Sequence, residues 1–167
     1  MPNLVEITDF TGELAIPQDK FTSSKFSVVR NARQFEMLYD IMGAELATLF
    51  IADLDSSGVP QTARFTNLYD AFVEDDNNAV VRSLGIKEMV KRLVYFYYVR
   101  ENNKIVTLNG NKSNEGENSK INFTIDWFIN KYNEAIETAK AIQWYIEENL
   151  DTYPEENRQL INYNSIF

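Results

Sequence analysis

Between Ser119 and about Leu150, apolar residues return at helical intervals. Phe123, Trp127, Phe128, Tyr132, Ala135, Ile136, Ala139, Ile142, Tyr145 and Ile146 form one wide stripe. A helix over that span runs about 45 Å. A second stretch is more demanding still. Leu93-Val94-Tyr95-Phe96-Tyr97-Tyr98-Val99 is apolar or aromatic around its whole circumference, which requires burial on more than one side, inside the domain or against neighbouring molecules. These two stretches predict a mainly α chain built as a helical bundle.

The 167 residues, 44% of them apolar, suit a single domain over 1–167 with a sizeable core. Residues 1–29 carry Pro2, Gly12, Pro17 and short runs such as Phe26-Ser27-Val28-Val29, and read as an extended N-terminal arm. A helical core follows over 30–150. Asn31 and Gln34 resemble a capping box, and Phe35, Leu38, Met42, Leu46 and Leu49 predict a helix over 32–51. Asp53 to Pro60 breaks it, and a short helix is expected around 62–73, with Phe65, Leu68, Tyr69 and Phe72 on one face. The acidic run Glu74 to Asn78 reads as a solvated loop, and Ser83 as the cap of a helix over 84–101. Thr107 to Ser119 holds the steps Asn109-Gly110 and Gly110-Asn111 and predicts a flexible loop near 105–118, or a β-hairpin with its tip at Asn109-Gly110. Pro154 ends helical structure, and residues 151–167 read as an extended tail whose apolar end, Leu160 to Phe167, docks onto something.

Charge and two missing residue types narrow the function. Sixteen basic against 25 acidic residues leave a net charge of −9, which repels a phosphate backbone and speaks against nucleic-acid binding. The absence of cysteine removes thiolate nucleophiles, zinc–thiolate sites and disulfides, and the absence of histidine removes imidazole bases and ligands. The expectation is a protein that is not an enzyme and carries no cofactor. No segment approaches the roughly 20 apolar residues of a membrane span. The N-terminus has no basic, apolar leader, so a cytoplasmic site of synthesis is expected, and the sequons at Asn111 and Asn122 then carry no meaning for glycosylation.

Each apparent motif has a plainer reading. Asp53-Leu54-Asp55-Ser56-Ser57-Gly58 matches the first half of a calcium loop, but Arg64 stands where a bidentate glutamate is needed, so a plain loop is expected. Lys112-Ser113 lacks the frame of a phosphate loop. Glu74 to Asp76 and the pair Glu147 and Glu148 read as solvated acids. Aromatic residues from Tyr95 to Tyr98 and from Trp127 to Tyr145 would suit base stacking only with cations beside them, and Lys91, Arg92, Arg100 and Lys131 are few. Core and subunit packing accounts for them better. Tyr95, Tyr97, Tyr98, Trp127, Trp144, Tyr163, Ile166 and Phe167 are the candidate subunit-interface residues.

Several segments together resemble a family of virion proteins from crAss-like and related phages of Bacteroidetes hosts. They are Gly43 to Leu54, Gly58 to Phe65, Gly85 to Met89 leading into Tyr95 to Arg100, Glu117 to Ser119, and Tyr132 to Ala135 continuing to Lys140 to Ile146. The resemblance covers roughly 35–150. It implies a head-to-tail connector, a ring-forming adaptor below the portal at the phage neck, with arms reaching neighbouring subunits and rings that are commonly twelve-fold. The implied partners are other copies of the chain, the portal and adjoining neck or tail proteins, while genomic DNA passes through without specific binding and no membrane is involved. The family offers no catalytic motif. The competing reading is an acidic inhibitor, an immunity protein or DNA mimic that blocks a basic nucleic-acid enzyme.

Overall fold

Asp19 opens the first helix, α1 (Lys20–Arg33), by accepting hydrogen bonds from the amides of Phe21 and Thr22, both at 3.0 Å. The computed structural model describes residues 2–76, 79–102, 104–107, 110–113 and 125–155, and the fold over them is mainly helical. Phe26 and Val29 turn inward from α1 while Lys20, Phe21, Lys25 and Val28 face solvent. The extended arm therefore stops at Asp19, ten residues short of its expected end. Ser27-Val28-Val29 looks strand-like, yet the Asp19 cap and the Phe26 anchor settle helix, because tertiary burial outweighs a weak local preference.

The helix expected over 32–51 is α2 (Glu36–Asp53), and it is interrupted at Gly43, whose φ of 76° lies outside helical space. Met37, Leu38, Ile41 and Met42 are buried before the break, and Leu46, Ala47, Phe50 and Ile51 after it. A glycine at that point lets both halves keep an apolar face on the same core while their axes differ. Asn31 lies within α1 and does not cap α2. Gln34 spans outward instead: its side-chain oxygen accepts from the Leu4 amide at 3.1 Å, and its amide donates to Asn3 at 3.0 Å.

Next comes α3 (Ala63–Tyr69), which is shorter than the 62–73 expected, because Phe72 belongs to a strand. β1 (Phe72–Asp76) pairs antiparallel with β2 (Ala79–Ser83), Val73 opposite Arg82 and Asp75 opposite Val80. The acidic run is thus largely strand. Glu74 and Asp75 are exposed as expected, but an alternation of Phe72 inward and Val73 outward puts them on a ladder. The Ser83 hydroxyl accepts from the Gly85 amide at 3.0 Å and opens α4 (Gly85–Asn102). A second hairpin joins β3 (Lys104–Thr107) to β4 (Gly110–Ser113), with Thr107 paired to Gly110, so the hairpin reading of that loop holds and its strands meet one position before the expected tip.

α5 (Ile125–Glu148) runs about 36 Å for its 24 residues. It lies antiparallel to α4. Arg92 reaches Glu134 at 2.7 Å and Phe96 stacks on Phe128 with ring centroids 4.5 Å apart, so later residues of one helix meet earlier residues of the other. α1 covers another side of α4 at Tyr97 and Tyr98. Leu93, Val94, Tyr95 and Phe96 are four consecutive buried residues, and the burial demanded by their apolar circumference is met inside the chain.

The N-terminal segment 2–19 is irregular apart from two short 3-10 turns, Ile7–Asp9 and Gly12–Leu14. It lies across the bundle, with Leu4, Val5, Phe10, Leu14 and Ile16 all in the core. At the other end, Tyr153 is fully buried and its hydroxyl donates to the Arg64 carbonyl at 2.6 Å, while Glu155 and Arg64 form a two-point ion pair at 3.2 and 3.0 Å. The tail thus begins by packing on its own chain.

Candidate interaction surface

The acids of the turn after α2 have structural roles. Asp53 accepts from the amides of Gln61 and Thr62, at 2.8 and 2.9 Å, and thereby fixes the chain that leads into α3. Asp55 accepts from the amides of Ser57 and Val59, at 2.8 and 2.9 Å, and closes the turn. Each carboxylate is spent on backbone amides, and Arg64 turns away to Glu155. Among the described residues no group of three or more carboxylates is placed to hold a metal ion.

A charge network joins three elements. Lys131, only 8% exposed, donates to Glu13 at 3.0 Å and to Glu134 at 2.9 Å; Glu134 also meets Arg92, which continues to Glu88, and Lys91 closes the chain on Glu88 at 3.0 Å. Burial alone would raise the carboxyls of Glu88 and Glu134, but the hydrogen bonds from Lys91, Arg92 and Lys131 outweigh it and hold both below their ordinary value of 4.5. The Arg64 hydrogen bond lowers Glu155 in the same direction. Carboxyls that ionise more easily folded than unfolded contribute stability in full above pH 4.5 and lose it as pH falls through their lowered folded values. Thermal melts should therefore be nearly flat from neutral pH to about 5, where falling net charge also relieves self-repulsion, and drop steeply below about 4.5. Glu134→Gln should flatten that acid limb. A melting temperature unchanged into strong acid would remove the network from the account of stability.

The aromatic candidates separate by position. Tyr95 is 1% exposed, set edge-on to Trp127 with centroids 6.0 Å apart, and burial pushes its hydroxyl up to about 12. It belongs to the core, its ring being covered within its own chain. Tyr97 is half-buried between two guanidiniums, Arg33 at 4.4 Å and Arg100 at 4.5 Å from the ring centre. Tyr98 is half-buried against Phe26, and Trp127 carries Lys131 at 5.6 Å. These rings pack mainly within the chain, and the stacking face of Phe96 is taken by Phe128, so a base-stacking groove is not what they build. Trp144 is half-buried on α5. Tyr163, Ile166 and Phe167 lie outside the described residues.

Apolar side chains that do face solvent sit outside the candidate interface set, and Leu49, expected on the apolar stripe of α2, is among them. Phe21 and Val28 on α1 are 67% and 69% exposed, and Val73 and Val80 on the first hairpin are 65% and 53% exposed. Tyr39, Leu49, Leu84 and Leu150 follow at lower values. The signal for the α1 pair was present in the spacing of Phe21, Lys25 and Val28, one turn apart after an Asp cap. Meanwhile Arg30, Arg33, Arg64, Lys87, Lys91, Arg92 and Lys131 are all engaged by carboxylates of the same chain. The acids left over give the outer surface its negative character. No described helix is long and apolar enough to cross a membrane.

Comparison of the chain with protein-family models, with characterised proteins and with solved structures finds no match.

Proposed function

We propose that this chain is a structural virion protein, a ring-forming head-to-tail connector between the portal and the tail of a tailed bacteriophage. The observation that carries the interaction part of this reading is the solvent-facing apolar set on α1 and the first hairpin, Phe21, Val28, Val73 and Val80, on a chain with its own filled core. The location in a virion rests on the resemblance over 35–150. Charge supports the rest: with seven cations already engaged in the chain, a negative wall would let DNA slide past without a binding trap.

The test is recruitment. Purified protein is mixed with portal-bearing, tailless capsids, sedimented and imaged, with the portal-free capsid as control. Density at the portal vertex alone is the expected result. A strict monomer that ignores those capsids and instead inhibits a basic nuclease would overturn the connector and establish the inhibitor reading.

A further inference from the structure

The two solvent-facing apolar sites differ in charge. α1 contains Lys20, Lys25, Arg30 and Arg33 and no acid. Arg30 and Arg33 are turned to Glu6, Glu36 and Glu101, whereas among the described residues Lys20 and Lys25 share no ion pair. Lys25 lies 4.3 Å from the Phe21 ring, so one outward face combines lysines with Phe21 and Val28. The Asp19 carboxylate beside them is spent on the helix cap.

The other site is acidic. Glu148, Leu150 and Asp151 are exposed at the end of α5, and the last turn of that helix holds no basic residue. Carboxylates there face the negative end of the helix dipole, an unfavourable placement that a cation from outside would relieve. The first hairpin adjoins this corner through Phe72, whose ring lies 4.9 Å from that of Tyr145. Its outward face presents Val73, Asp75 and Val80, with Arg82 as its one base, and Glu74 is exposed at its edge.

These sites lie toward opposite ends of α4. α1 crosses it at Tyr97 to Glu101, and the hairpin precedes Gly85, so about 18 Å of helix separates them. Lysine side chains on α1 do not span that gap within one molecule. Two complementary patches that cannot meet in one chain make a heterologous, head-to-tail contact between copies, the kind that closes rings. We propose that the Lys20, Phe21, Lys25 and Val28 face of α1 docks on the Glu148, Leu150 and Asp151 corner and adjoining hairpin of a second copy. This contact is the lateral joint of the ring and takes its biological sense from the connector reading.

Charge exchange tests it. The intact protein is sedimented by analytical ultracentrifugation across a concentration series, beside Lys20→Glu/Lys25→Glu and Glu148→Lys/Asp151→Lys. Each variant alone should associate at least about tenfold more weakly than the parent, and their equimolar mixture should recover association, since each then offers the charge the other lacks. Raising salt should weaken the parent by a similar factor, a readout that needs no variant. Parent protein that remains monomeric at sub-millimolar concentration, a salt-insensitive association, or a mixture no stronger than its components would overturn the docking. Binding of the monomer to anionic phospholipid vesicles through α1 would also overturn it. Recovery in the mixture without recruitment to portal-bearing capsids would leave this contact standing and remove the connector; recruitment without recovery would do the reverse.

Discussion

Gly85→Ala should cost more than about 3 kcal/mol of unfolding free energy, a large part of the roughly 5–15 kcal/mol that holds an ordinary domain together. Gly85 has φ of 82°, and a methyl group built on it would lie 2.2 Å from the Tyr69 carbonyl oxygen and 2.6 Å from the Asp70 carbonyl carbon. The left-handed backbone by itself costs an L-residue about 1–2 kcal/mol. The remainder comes from moving main chain, since no side chain can swing aside, and the moving part is the link from α3 into the hairpin. Gly12→Ala supplies the comparison: its φ is 60°, but nothing lies within 4 Å of the added carbon. Chemical denaturation should show the Gly12 variant losing about 1 kcal/mol and the Gly85 variant far more. Equal losses would mean that the close approach at Tyr69 and Asp70 is easily relaxed.

Tyr95→Ala should lower stability by about 3–5 kcal/mol, in the range for emptying a large aromatic from a core. Its ring is buried on the side of α4 that meets Trp127, and Val94 and Phe96 on either side are buried too, so the cavity cannot collapse cheaply. Trp144→Ala, at a half-buried position, should cost clearly less. Thermal melts of dilute protein, where association does not contribute, distinguish the two. A Tyr95 variant with the parent's melting temperature in dilute solution but weakened association would return that residue to the interface.

What the sequence disclosed depended on how loudly each segment repeats. α4 and α5 were legible because their apolar residues are large, in a dense run all round α4 and in an unbroken helical period along α5. α1 was hidden by Thr22, Ser23, Ser24 and Ser27, which dilute the stripe and leave Phe26 and Val29 as its buried apolar anchors. The kink at Gly43 was invisible because each half of α2 keeps its own period, and only the backbone angle reveals the offset. The first hairpin was obscured because Glu74 and Asp75 occupy strand positions that face water, where acids are uncommon but tolerated. The interface residues were sought among the most apolar segments, and of these Tyr95 is buried while Tyr97, Tyr98, Trp127 and Trp144 are half-buried. A large ring in a dense apolar run is what a core consumes first; a ring beside lysines at the rim, such as Phe21, is what remains outside.

The three ion pairs of the N-terminal segment set an order of events during synthesis. Glu6 meets Arg30, Asp9 meets Lys87, and Glu13 meets Lys131, 118 positions later. Residues 2–19 leave the ribosome before any of those partners except Arg30 is near, and the last clasp cannot close until the first turns of α5 have emerged. Contacts of such long sequence separation form late, because loop closure must be completed before they reward it. Phe10 can meet Phe26 early, but the segment is not fully clasped until Lys131 arrives, and a nascent chain stalled before residue 131 should present it to chaperones and proteases that the finished protein excludes.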